Sequence, residues 1–96
     1  MQKNTDEIQA AANWLKALGN IHRLQIIRLL LDGEKSVSAL NEWVAITQPA
    51  LSQSLTILRK NGIVKSRRES RNIFYQLVND DAQNVLQIVA GRKGIK

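Results

Sequence analysis

The stretch TQPALSQSLTILRKNG, residues 47–62, decides how the chain is read. Leu51, Leu55 and Leu58 recur at a helical period and mark an inward face. Thr47 predicts an N-cap. Pro49 falls in the first turn, where its missing N–H costs little, and Asn61-Gly62 predicts the stop. The other face carries Pro49, Ser52, Gln53, Thr56 and Lys60, with Gln48 at the helix tip. Gln, Ser and Thr donate and accept hydrogen bonds without a fixed charge, which suits the mixed base edges of a DNA major groove. Gln48, Ser52, Gln53 and Thr56 are therefore candidates for base readout. Thr47, Arg59 and Lys60 are candidates for backbone phosphates, which fix register without reading sequence.

Downstream of this helix the period changes from 3.6 to 2. Residues 63–68 and 72–78 read as two strands, with 69–71 as the turn of a hairpin. The hairpin adds Lys65, Arg67, Arg68 and Arg71 to the candidate phosphate contacts. Between 59 and 71 there are six basic side chains and one acid. Asn79-Asp80-Asp81 opens a last helix whose apolar residues are Ala82, Val85, Leu86, Ile88 and Val89. The end, 91–96, reads as a mobile tail.

Upstream, Thr5 predicts an N-cap, with Asp6 and Glu7 suiting the positive end of a helix. Ile8, Ala11, Ala12, Leu15 and Leu18 form its stripe, and Gly19 its stop. Asn20 caps a second helix, with Ile21, Leu24, Ile27, Leu30 and Leu31 inward and Ile26 broadening the stripe. Asp32-Gly33 closes it. Ser36 caps a short third helix to about Val44, with Val37, Leu40 and Val44 inward. The short link Ala45-Ile46 then leads to Thr47. The expected order is α-α-α-α-β-β-α, a mainly α fold with a β-hairpin wing, in one domain over 1–96. Two helices joined by a tight turn and followed by a basic hairpin make a winged helix-turn-helix.

Composition agrees with this reading. The chain has 96 residues and a net charge of +6. Residues 1–46 hold five basic and five acidic side chains, whereas 47–96 hold nine basic against three acidic. The whole excess lies in the second half, which points to a polyanion partner. A chain of this size gains from a partner that covers leftover apolar faces. No run of about 18 apolar residues exists, so no membrane partner is expected. There is no cysteine, which excludes disulfides and thiolate chemistry in this chain and fits a reducing cytoplasm. With one histidine, no nucleophile has a base and an orienter, and no Gly-rich phosphate loop occurs, so an enzyme is not expected.

Three segments together resemble one family. They are Ala17-Leu18-Gly19-Asn20 with 22–27, then Gln48–Leu55 with Leu58-Arg59, then Gly62-Ile63-Val64 with Arg67-Arg68 and Phe74-Tyr75. In these the chain resembles the ArsR/SmtB family of bacterial winged-helix repressors, over about residues 11–90. The resemblance implies a homodimer that binds an imperfect palindrome in double-stranded DNA and represses transcription. It also implies a dimer interface on the first and last helices, here Ile8, Ala11, Leu15, Val85, Leu86, Ile88 and Val89.

The chain departs from the metal-sensing members. Where many carry Cys-x-Cys in the third helix it reads Ser36-Val37-Ser38, and hydroxyls do not replace thiolates for soft metals. The last helix has Asp80 and Asp81 at its start but no histidine. His22, the sole histidine, reads as a surface or capping residue. No metal and no cofactor are expected, and redox sensing through thiols is excluded for this chain. An organic or protein effector, or none, stays open. Trp14 is expected at the dimer edge and Trp43 over the core, and either could line a ligand pocket. Two other readings stay open: a nonspecific, nucleoid-like DNA binder that packs DNA or counters silencing, and a winged helix that binds protein rather than DNA.

Overall fold

The computed structural model describes residues 2–93, with side chains placed for 5–90. The elements run α1 (Gln2–Leu18), α2 (Ile21–Leu30), β1 (Lys35–Ser36), α3 (Val37–Trp43), α4 (Gln48–Lys60), β2 (Val64–Glu69), β3 (Asn72–Leu77) and α5 (Asp81–Lys93). Short polar side chains set most helix starts, as expected. The Asn20 carboxamide oxygen accepts from the amides of His22 and Arg23, Ser36 Oγ from Ala39, and Thr47 Oγ1 from Ala50. Each satisfies a first-turn N–H that has no partner within its helix. Helix α4 ends in a Schellman motif: Ile63 N–H donates to Leu58 O and Gly62 N–H to Arg59 O. Gly62 takes φ of 70°, a conformation glycine adopts freely.

The buried cluster gathers Leu18 from α1, Ile26, Ile27 and Leu30 from α2, Leu40 and Val44 around α3, Leu51, Leu55 and Leu58 from α4, Ile63 and Val64 beside the sheet, and Ala82 from α5. Helix α2 crosses its middle, as the broad stripe predicts. The stripe's ends differ from expectation: Ile21 is 66% and Leu31 39% exposed. Burial of both Ile26 and Ile27 centres the inward arc near Leu30, and at about 100° per residue Ile21 then lies almost opposite.

Two boundaries also move. Helix α1 begins at Gln2, so Thr5 lies inside it rather than capping it. Helix α5 continues to Lys93, three residues into the stretch read as a tail, and 94–96 lie outside the described residues. Gly91 does not stop it, because a lone glycine costs a helix only about 1 kcal/mol.

The sheet has three strands, not two, in the order β1-β3-β2 and antiparallel throughout. Strand β1 lies on β3, pairing Lys35 with Tyr75 and Ser36 with Phe74. Strand β2 pairs with β3 from Val64–Leu77 to Glu69–Asn72, which leaves a two-residue turn, Ser70-Arg71. Ser70 has φ of 60°. Positive φ at the first central residue belongs to the type II′ hairpin turn, which usually recruits glycine there. The register sorts the side chains. Val64, Tyr75 and Leu77 pack on the core, and Lys65, Arg67 and Phe74 take the outer face.

Candidate nucleic-acid interface

Helix α4 divides cleanly. Leu51, Ser54, Leu55 and Leu58 are buried. Gln48, Pro49, Ser52, Gln53, Arg59 and Lys60 are exposed, so the polar face read from the sequence is open to a partner. Thr56 is half-buried and donates its hydroxyl proton to Ser52 O at 2.9 Å, which leaves it an acceptor toward anything else. Thr47 Oγ1 already serves its own helix as the cap. No acid occurs in α4, and its last turn carries Arg59 and Lys60. The cations lie beside the helix's negative end, a favourable placement.

In the wing, Lys65, Arg68 and Arg71 are exposed. Arg67 is engaged within the chain. Its Nε and Nη2 donate to the two carboxylate oxygens of Glu34, each at 2.8 Å. Its Nη1 lies 3.5 Å from Glu69, and its guanidinium stacks 4.5 Å over the Phe74 ring. A planar fork matched to both oxygens is the geometry that favours arginine over lysine. Hydrogen bonding from Arg67 holds the Glu34 carboxyl below its usual value, and the same bonds raise Arg67 further. A lowered carboxyl stabilises the fold above its ordinary titration range. That contribution fades as pH falls through the folded-state value. No local signal in the sequence marks Glu34 for a role, because it lies 33 positions from Arg67.

Helices α1 and α5 differ sharply from α4. From residue 5 to 13 of α1 every side chain is exposed. Ile8 is 68%, Leu15 55%, Ile88 59% and Val89 49% exposed, whereas Val85 and Leu86 are half-buried against the core. Trp14 is half-buried and lines an apolar cleft of about 620 Å³ between α1 and α5, with Ala10, Ala11, Leu15, Asp81, Asn84 and Val85. Trp43 departs from expectation. It is 76% exposed and borders a groove with Leu29 and Leu31 instead of covering the core. Val44, the next residue, takes the buried position. His22 caps nothing with its ring: it is half-buried, and its buried Nδ1 has no hydrogen-bond partner.

Residues 22–66 match the sequence profile of the bacterial regulatory proteins of the arsR family. The chain is 38% identical over 89 residues to the transcriptional activator HlyU of Vibrio cholerae, covering 93% of this chain and 80% of that protein. The chain belongs to the ArsR family. To the biofilm growth-associated repressor of Xylella fastidiosa it is 41% identical over 86 residues, 90% of this chain and 73% of the repressor. Among solved structures, a homodimeric winged helix-turn-helix DNA-binding domain from Mycobacterium bovis, a possible ArsR-family regulator, superposes with a TM-score of 0.86. It is 28% identical, with 98% of this chain and 87% of that one covered. This ArsR-family chain is therefore a winged helix-turn-helix DNA-binding transcriptional regulator and not an enzyme.

Proposed function

We propose that the protein is a homodimeric repressor that reads an imperfect palindrome in double-stranded DNA. Helix α4 enters the major groove, where Gln48, Ser52, Gln53 and Thr56 meet base edges. Thr47, Arg59 and Lys60 bind flanking phosphates, and Lys65, Arg68 and Arg71 add the wing's contribution. The observation that carries this reading is the two-sided α4: a buried leucine stripe behind an exposed, acid-free face of Gln and Ser. Such a face has hydrogen-bonding capacity and no side-chain partner among the described residues, which is what base readout requires.

The dimer reading rests on α1 and α5. A helix exposed along most of its length, with Ile8 and Leu15 in water, is marginal by itself, and packing on a second copy would stabilise it. Ala11, Val85, Leu86, Ile88 and Val89 complete the apolar strip. The homodimeric state of the Mycobacterium bovis domain supports the same arrangement. Repression follows from occlusion of a promoter by the bound dimer, although one relative is a transcriptional activator. Any effector belongs to organic or protein chemistry. The chain has no thiol, and the described residues contain no group of three metal-ligating side chains. A DNA partner also puts the protein in the cytoplasm. No helix among the described residues is long and apolar enough to cross a membrane.

The test is selection of duplexes from a random pool, then fluorescence anisotropy against selected and scrambled sequences across a salt series. A two-fold symmetric site bound about a thousand times more tightly than the scramble is expected for a specific regulator. Equal, salt-sensitive binding to both duplexes would make the protein an architectural DNA binder. Binding to neither would turn attention to a protein partner.

A further inference from the structure

Simple electrostatics assigns every cation of the hairpin to DNA and makes every nearby acid a hindrance. The contacts around Arg67 say otherwise. Glu34 takes both of its hydrogen bonds from the Arg67 fork, and Phe74 supports the same guanidinium from below. The Glu34 side chain is 26% and the Arg67 side chain 48% exposed. Glu34 directly precedes β1, whose second residue, Ser36, both pairs with Phe74 and caps α3. One ion pair therefore joins β2 of the wing to the strap that starts the helix-turn-helix.

We infer that Glu34 is a positioning residue for DNA binding: through Arg67 it fixes the wing relative to α3 and α4, and Arg67 does not itself contact phosphate. The inference rests on the reading that the exposed wing cations reach DNA. The hairpin otherwise meets the body of the protein at its base, through Val64, Tyr75 and Leu77 and through the pairing of β3 with β1; β2 is the strand without a backbone partner on the body, and Arg68 and Arg71 lie near the hairpin's far end. A side chain that holds the outer face of β2 to the α2–β1 corner limits how far that end can swing. Charges preset in position lose less freedom on binding than charges on a loose arm.

The sign of the effect separates this role from a bulk-charge role. Removing an acid from a DNA-binding surface strengthens binding if only net charge matters. Glu34→Ala is expected to weaken binding to the selected duplex by about three- to fivefold, the range of an exposed ion pair with good geometry. It should also shallow the salt dependence as Arg68→Ala does, although it removes no cation. Thermal melting close to that of the parent would place the loss in the complex rather than in the fold.

The exchanged pair E34R/R67E supplies the second arm. It keeps net charge and restores an ion pair across the same gap. It should recover most of the affinity that Arg67→Glu alone loses. Unchanged or tighter binding by Glu34→Ala, while Arg68→Ala still weakens binding, would overturn the inference and leave the wing reading intact. No recovery in the exchanged pair would mean that Arg67 touches DNA, and would overturn it as well. An Arg68→Ala variant that binds like the parent would instead remove the wing from the interface, and the role of Glu34 with it.

Discussion

Helices α1 and α4 both present an exposed face, and for opposite reasons. Helix α4 is anchored by a buried leucine stripe, and what it leaves outside is polar and free of acids. Helix α1 is anchored toward its C-terminal end, by Trp14, Ala17 and Leu18, and leaves Ile8 and Leu15 outside. A polar face in water costs little, so α4 is complete within one chain and, in the proposed reading, can wait for DNA. An apolar strip in water forfeits about 25 cal/mol for every Å² left unburied, so α1 is incomplete within one chain. Helix α1 is the more exposed of the two, and in the proposed reading the chemistry of what is exposed separates a reading surface from an assembly surface.

The largest expected effect strikes α5, the partner of α1 in this contrast. Ile88→Lys changes a side chain that is 59% exposed, so the single-chain fold should survive. Sedimentation should find monomer where the parent is a dimer, and affinity for the full palindrome should fall by about two orders of magnitude or more as two-site binding is lost. An intact dimer would end the distinction drawn between the two helices.

Gln53→Ala tests the other side. It should cost about 1–3 kcal/mol of discrimination between operator and mismatched duplex, with little change on nonspecific DNA. Equal weakening on all duplexes would make Gln53 a backbone contact rather than a reader. Arg68→Ala should lower affinity for every sequence and shallow the plot of log K against log salt by about one unit, one phosphate fewer. The smallest effect belongs to the hairpin turn. Ser70→Gly relieves a side chain held at φ of 60° and should raise stability by up to about 1 kcal/mol, read as a higher melting temperature.

Caps and stripes were legible because their signals are local. Asn20, Ser36, Thr47 and Asn61-Gly62 each act within a few residues of where they stand, and each behaves as the spacing predicts. The face of α4 was legible for the same reason. Relations across the chain were not. Strand β1 is two residues long, too short for any alternation, and exists because β3 offers it an edge. Glu34 and Arg67 stand 33 positions apart and meet only in the folded chain, so no local signal marks them as a pair. Trp43 looked like core because large aromatics usually bury their area, yet the inward position at that turn fell to Val44. Ile21 faces water, and the stripe alone does not say where the centre of a broad apolar arc will settle.

Arg23 gives the joint between α1 and α2 a meaning of its own. Its Nε donates to Ala17 O at 2.7 Å and its Nη2 to Lys16 O at 3.3 Å, so it clasps the last carbonyls of α1 from the first turn of α2. In the proposed dimer, α1 is the arm by which one copy holds the other, and α4 is carried by the body that α2 centres. The angle at this clasp therefore acts as a ruler: it sets the distance between two readers that must meet DNA about one helical turn apart. Loosening it with Arg23→Ala should leave the bases chosen in each half-site alone and broaden the spacer lengths accepted between them. A selection from a random pool would record both.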